Sequence, residues 1–442
     1  MAIAASHPRN TLASLGLILS ALSLLPVVLA QKPAPTSTPV AATTPAPPHA
    51  TAPVPASLAM DMNRLRDIRP RLQELVDRQQ VPGVVYLVAH HGRIAAYDAV
   101  GMANIEAVMP MYKDSIFQIM SMTKNFTGVA AMMLVEEGKI DLKSPIEHYL
   151  PEFKDILVEE IAADVTVTIR PPTSKPTVWQ LMDHTSGLAE NPGGDLEDNP
   201  RTLRVPLAEA VKFYGTTRLK FEPGTRWSYS NMGIATLGRI IEVVSGQDYV
   251  TFITDRLLKP LGMKDSSFVA PLEKRDRIAL VYKHVDGKLV RSGSEVLAGD
   301  PAFYRAGAQY PAPEFGMYST AADLFRFYQM LLNHGILDGH RYLSRQSVAT
   351  MTQVFTPDVK PSGWMGGTGY GLTFEIVNQP EGTLLLHSPG TFGHGGAFGT
   401  EGWIDPKNDL IRIMLVQMSD GSAEIPRSIV MQMGAAAVLD GK

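Results

Sequence analysis

The sequence predicts an α/β fold: an antiparallel sheet assembled from both chain ends and flanked by helices, plus a mostly helical lobe. Three observations predict it. Val84–Ala89 and Ile94–Val100 are β-rich segments near the start of the folded part. Leu384–His387, Gly396–Ile404 and Leu410–Met418 read as strands near its end, and the stretch between them is dominated by helical periodicity. Helices inserted between two halves of one sheet leave a cleft at the seam, where a ligand can sit.

Taken in order, Leu65, Ile68, Leu72, Leu75 and Val76 recur at helical spacing. His91-Gly92 joins the first two strands as a hairpin turn. Thr320-Ala321-Ala322-Asp323 opens a helix in the manner of a capping box. Leu324, Phe327, Tyr328 and Leu331 then share a face, and Gly335 ends the element. Asp405-Pro406-Lys407-Asn408-Asp409 forms the turn between the last two strands.

Composition narrows the function. A chain of 442 residues holds one large domain or two intimately packed ones. Its hydrophobic share of 45% and charged share of 19% suit a soluble globular protein. A formal net charge of -4 with no basic run excludes a nucleic-acid footprint. The count of zero cysteines excludes disulfides, thiol nucleophiles, thiolate metal sites and lipidation on cysteine.

Residues 1–30 read as a signal peptide. Arg9 precedes an apolar stretch from Leu15 to Leu29, and Val28-Leu29-Ala30 sets small residues at the cleavage position. The competing reading, a retained membrane anchor, meets a stretch that is short and interrupted by Pro26. An extracytoplasmic protein, periplasmic or secreted, is therefore expected, with no membrane span after cleavage. Residues 31–59 form a Pro/Ala/Thr-rich segment that buries too little apolar surface to offset its ordering entropy, and should be a disordered linker. The folded domain is expected over residues 60–442.

Three motifs carry chemistry. The first is Ser121-Met122-Thr123-Lys124, opening a helix whose apolar stripe is Met122, Phe126, Val129 and Met133 and which Gly138 closes. A serine in the first helical turn has an unsatisfied amide and the positive end of the helix dipole beside it. Lys124 lies one turn on, within reach of the hydroxyl, and a lysine desolvated in a cleft can serve as a general base. Alone the motif is weak, since a chain this long holds about one Ser-x-x-Lys by chance. A helix cap followed by a surface lysine competes with it.

The second motif is Tyr229-Ser230-Asn231, before a helix carrying Ile234, Leu237, Ile241 and Val244. A phenol there can relay a proton, and the amide can hold a substrate carbonyl. A buried tyrosine with a capping asparagine is the structural alternative. The third is Gly393-His394-Gly395-Gly396-Ala397 at the start of an expected edge strand, where glycines let substrate backbone approach and free N–H groups receive it. A glycine-rich bulge with a structural histidine is the alternative there. Trp364-Met365-Gly366-Gly367 reads equally as pocket lining and as surface loop. His90-His91 and the pair His387 and His394 lack zinc spacing and read as turn or core residues.

In this order the three motifs resemble the signature of serine β-lactamases, penicillin-binding proteins and their carboxylesterase relatives. Phe117-Gln118-Ile119, Leu181-Met182-Asp183-His184-Thr185-Ser186-Gly187-Leu188, Phe221-Glu222-Pro223-Gly224, Gly316-Met317-Tyr318-Ser319-Thr320 and Gly369-Tyr370-Gly371-Leu372 are similar as well. The resemblance spans about Arg64 to Met418 and implies the β-lactamase/transpeptidase-like fold, with no metal and no cofactor. It also implies Ser121 as acylated nucleophile, Lys124 as its base or orienting partner, Tyr229 as acid/base relay and Asn231 as a substrate contact. His394, Gly395 and Gly396 would border the substrate, and the Ala397 amide would join that of Ser121 in an oxyanion hole. Gly-x-Ser-x-Gly, the nucleophile elbow of α/β-hydrolases, does not occur.

One departure bears on substrate. Penicillin-binding proteins and β-lactamases usually carry Lys-Thr-Gly where this chain has His394-Gly395-Gly396. A mostly neutral imidazole and a glycine make a weak carboxylate site. The leading expectation is thus an esterase for small neutral esters acting through an acyl-enzyme. A D-amino-acid-specific peptidase or weak β-lactamase is the second reading, and a non-catalytic penicillin-recognising module the third. The partner in the first two is a small-molecule ester or amide. The sequence leaves the physiological acyl group, hydrolysis versus acyl transfer, and oligomeric state open.

Overall fold

The computed structural model describes residues 58–161, 165–192, 205–269, 271–292, 309–356, 363, 365–383 and 385–439. The expectations for residues 1–57 and for Trp364 and Leu384 lie outside them.

One antiparallel sheet of eight strands organises the domain. Its strands are β1 (Gly83–His90), β2 (Arg93–Asn104), β3 (Met109–Pro110), β4 (Thr368–Tyr370), β5 (Glu375–Val377), β6 (Phe392–Gly395), β7 (Glu401–Asp405) and β8 (Leu410–Leu415). Their spatial order is β4-β5-β6-β7-β8-β1-β2-β3. The two chain ends meet at its centre, where Val85 pairs with Leu415 and His90 with Leu410. Both of these strands are buried along their whole length.

Strand periodicity sorts their side chains into two cores. Val85, Leu87, Ala89, Ile411, Ile413 and Leu415 face one, and Val84, Tyr86, Val88, Leu410 and Met414 face the other. The second core is closed by α1 (Met62–Arg66), α2 (Ile68–Asp77) and the C-terminal helix, through Leu65, Ile68, Leu72, Leu75, Val430 and Met431. The first is closed by α3 (Thr123–Glu136) and the helix Ala321–Leu332, whose Phe126 and Phe327 rings stack at 3.8 Å.

The helical spacing near the amino end is present but divided at Asp67. Pro70 lies in the first turn of α2, where its missing N–H costs little, and in one continuous helix its ring would meet the Arg66 carbonyl. Thr320 caps the Ala321–Leu332 helix by accepting from the Asp323 amide at 3.2 Å. Asp323 does not reach back to complete the box: its carboxylate accepts from the Asp265 amide and the Ser266 hydroxyl instead. Gly138, with φ +69°, closes α3.

Four expectations need correction. Leu385–His387 is not a strand: Leu386 stands at φ +54° with its side chain exposed. The strand expected from Gly396 begins at Glu401, because Gly396 to Thr400 make a tight turn in which the Gly396 amide donates to the Thr400 carbonyl at 2.7 Å. The strand carrying His394 is internal rather than an edge, since β5 lies outside it, although their pairing covers only Phe392 and Gly393. Finally, α3 has no polar face: every residue from Thr123 to Leu134 is buried, because the helix runs between the sheet and the helical lobe.

Candidate active site

Ser121 stands in the short 3-10 turn Met120–Met122 that leads into α3. Met120 just before it is held at φ +51°, a conformation that L residues rarely adopt. Two hydroxyls secure the bend. Thr123 donates to the Met120 carbonyl at 2.6 Å and accepts from the Met317 amide at 3.1 Å. Thr400 donates to the Ile119 carbonyl at 3.0 Å. That last bond ties the turn bearing Ser121 to the β6–β7 turn bearing Ala397. Gly396 makes this closeness possible: a Cβ there would fall 2.5 Å from the Ile119 carbonyl oxygen and 2.2 Å from the Thr400 hydroxyl.

Lys124 is completely buried beneath the serine. Its Nζ contacts Ser121 Oγ at 3.2 Å, Asn231 Oδ1 at 2.8 Å and the Glu314 carbonyl at 2.8 Å. The last two partners can only accept, so they fix two of the amine's hydrogens. The third direction points at the serine, and along it the neutral amine can take a proton from the serine oxygen.

Tyr229 and Asn231 arrive from the start of α5 (Asn231–Ser245), which packs against α4 (Val178–Met182) in the lobe. The helix start is pinned by Ser230, whose hydroxyl accepts from the Gly233 amide at 2.9 Å. The Tyr229 hydroxyl is hydrogen-bonded to Ser121, and its ring centroid lies 4.7 Å from Lys124 Nζ. Burial raises the phenol above its ordinary value, with the serine bond opposing, so it remains a proton donor. Asn231 gives its carbonyl oxygen to Lys124 and one amide hydrogen to Asn191 Oδ1 at 3.0 Å.

The remaining expected residues close a cavity of about 420 Å³ over Ser121. His394, Gly395, Gly396 and Ala397 line it together with Tyr229 and Asn231. All eight expected residues therefore converge, with Lys124 one layer below the cavity. Ala397 is exposed at the turn. His394 Nδ1 lies 2.6 Å from the Gly395 carbonyl, which can only accept, so that nitrogen carries the hydrogen. Its Nε2, at 2.8 Å, then accepts from the Tyr370 hydroxyl. Burial, reinforced by the charge of Lys124, brings the imidazole down to about 3, and it is neutral at physiological pH.

The cavity is more acidic than the motifs suggest. Glu190, Glu375 and Glu401 all line it, against Arg427 at its rim. Arg427 faces Glu401 at 3.3 Å, and the Trp403 indole donates to Glu401 at 2.7 Å. Burial nonetheless raises Glu401 to about 7. These carboxylates sit singly on separate strands and loops and form no sequence pattern. Met365 also lines the cavity. His90 bonds the Leu58 carbonyl at 2.7 Å, His91 sits at the hairpin turn, and His387 is buried against Arg412. Among the described residues, no group of three or more His, Asp or Glu side chains is disposed to hold a metal.

The β-lactamase family model matches residues 68–429. An uncharacterized Mycobacterium tuberculosis protein is 32% identical over 363 residues, which cover 78% of this chain and 88% of that one. Esterase EstB of Burkholderia gladioli is 27% identical over 399 residues, covering 85% and 95%. Among solved structures, EstCE1, described as a hydrolase with promiscuous acyltransferase activity, matches with a TM-score of 0.69 at 22% identity. That match covers 86% of this chain and 99% of the other. The sheet, the lobe and the seam between them are those of the β-lactamase/transpeptidase-like fold, and the chain belongs to the β-lactamase family as a related serine hydrolase.

Proposed function

We propose that the protein is an exported esterase for small neutral esters that works through an acyl-enzyme on Ser121. In this reading the Ser121 oxygen attacks the ester carbonyl while Lys124 Nζ takes its proton, the amine's other hydrogens being held by Asn231 and Glu314. The amides of Ser121 and Ala397 receive the charge that develops on the carbonyl oxygen. Tyr229 passes a proton to the departing alkoxide, releasing the alcohol. Water then attacks the acyl-serine, its proton going to the Tyr229 oxygen left bare by the first step, and the acid leaves as Lys124 returns the proton it took to Ser121. The second amide hydrogen of Asn231 is directed to the bound acyl group.

The observation that carries the substrate class is His394. Both its nitrogens are engaged and it is neutral, so it offers a carboxylate-bearing ligand no charged donor. Glu190 and Glu375, which also line the cavity, further disfavour an anion. Charge-assisted hydrogen bonds contribute about 1.5–3 kcal/mol, so their loss weakens anionic substrates roughly ten- to a hundredfold. The kcat/KM for p-nitrophenyl butyrate is expected to exceed that for nitrocefin. The reverse order would replace the esterase reading with the β-lactamase one. Grafting the usual lysine and threonine is not a clean converse. His394→Lys sets a second basic amine near Lys124, and a Cβ on Gly395 falls 2.9 Å from Glu401 Oε1.

Export rests on the charged, apolar and small-residue sequence of residues 1–30. No helix of the described residues is long and apolar enough to cross a membrane. Amino-terminal sequencing of the protein recovered outside the cytoplasm is expected to begin at Gln31. A chain that begins at Met1 and sediments with membranes would show a retained anchor instead.

A further inference from the structure

His184 takes no part in the chemistry above, yet it is buried beside Tyr229 and held in an unfavourable backbone conformation, with φ +64°. Asp183 fixes this bend by accepting from the Thr185 amide and hydroxyl and from the Trp179 indole. The result is unusual in one respect. The Ser228 amide donates to the His184 carbonyl at 3.0 Å, and the Ser230 amide donates to His184 Nδ1 at 3.1 Å. The residues on either side of Tyr229 are thus bound to the same histidine.

The ring completes the grip. Its centroid lies 4.6 Å from that of Tyr229 and 4.6 Å from that of Tyr370, so it is wedged between them. Tyr370 in turn donates to His394, on the strand that leads to the Ala397 turn. Because Nδ1 accepts, the hydrogen resides on Nε2, which has no hydrogen-bond partner among the described residues. A buried imidazole with one nitrogen spent on a backbone amide and the other unused has no route for passing protons. It serves through its acceptor and its shape.

We propose that His184 is a positioning residue that holds the Tyr229 hydroxyl on line between Ser121 and the leaving group. The inference rests on Tyr229 acting as the proton relay. A relay displaced by a fraction of an ångström loses rate steeply, and the loss is largest where the leaving group most needs a proton. Asparagine can place its Oδ1 near the position of Nδ1, whereas leucine removes the acceptor.

The test compares His184→Asn, His184→Gln, His184→Leu and Tyr229→Phe in the full chain, using butyrate esters of p-nitrophenol, phenol and an aliphatic alcohol. Rates are counted per site titrated with a fluorophosphonate, so that unfolded protein does not register. His184→Leu is expected to lower kcat/KM roughly tenfold for the p-nitrophenyl ester and about a hundredfold for the alkyl ester. His184→Asn should stay within about threefold of the parent on all three, and the pH profiles should keep their shape. Adding His184→Leu to Tyr229→Phe should cost little more.

Equal loss on all three esters, or a full rate per titrated site, would overturn the proposal. So would an Asn variant as impaired as the Leu variant. If His184→Leu does not fold, His184→Gln carries the test, because its amide reaches beyond the Nδ1 position and should show the same leaving-group dependence. A Tyr229→Phe enzyme with parental rates on the alkyl ester would overturn the relay and this inference together. A severe Tyr229→Phe loss beside a flat His184→Leu response would overturn this inference alone.

Discussion

Ser121→Ala is expected to abolish ester turnover, with kcat at least roughly a thousandfold below the parent and no covalent labelling by fluorophosphonates. Ser121 Oγ is the atom on which Lys124 and Tyr229 both converge, and it opens onto the cavity next to the Ala397 turn. Removing it deletes the bond-forming atom and leaves the pocket walls in place, so substrate binding should change little. The bend around it is held by Thr123 and Thr400 rather than by the serine hydroxyl, and the melting temperature should therefore move by no more than a few degrees. Residual turnover within tenfold of the parent would mean that another group performs the attack.

Lys124→Met and Tyr229→Phe should each cost on the order of a thousandfold or more, and the double variant should be about as slow as the worse single one. Lys124 takes the serine proton and Tyr229 supplies the leaving group's, so once one is missing the other has no complete relay to serve. The two should separate in stability. Lys124→Met strands the Asn231 and Glu314 carbonyl oxygens, which costs about 1–3 kcal/mol for each acceptor left unsatisfied in the interior. Tyr229→Phe removes a hydroxyl from a half-buried site and should be nearly neutral. Losses that multiply in the double variant would show two independent contributions instead of one unit.

Several parts of this arrangement are legible in the residues themselves. The short, nearly continuous apolar runs Val84–Ala89 and Leu410–Leu415 place strands at both chain ends, because such runs suit central strands buried on both faces. The three short motifs are visible in the residues and in order resemble one family signature, while their meeting around Ser121 is set by packing. Other features are set by long-range packing. Gly396–Thr400 is a turn because of a backbone bond closed in space and the tight fit of Gly396 against Ile119, and local β-propensity is blind to both. Nor can periodicity reveal that β5 covers the flank of β6, since the covering strand lies well upstream in the chain.

The same holds for the cavity. Glu375 and Glu401 look like ordinary strand residues until pairing brings both beside the glycines of β6. His184 and Tyr370 stand inside recognisable motifs, and only their packing against Tyr229 shows what they could do there.

The central claim is that catalysis runs through a covalent acyl group on Ser121. Its most direct test is peptide mapping by mass spectrometry of the protein quenched in acid during turnover of a slow neutral ester. One acyl adduct per chain is expected, on the peptide containing Ser121-Met122-Thr123-Lys124 and absent from Ser121→Ala. An adduct on any other serine, or turnover with no adduct while the ester is being consumed, would contradict it.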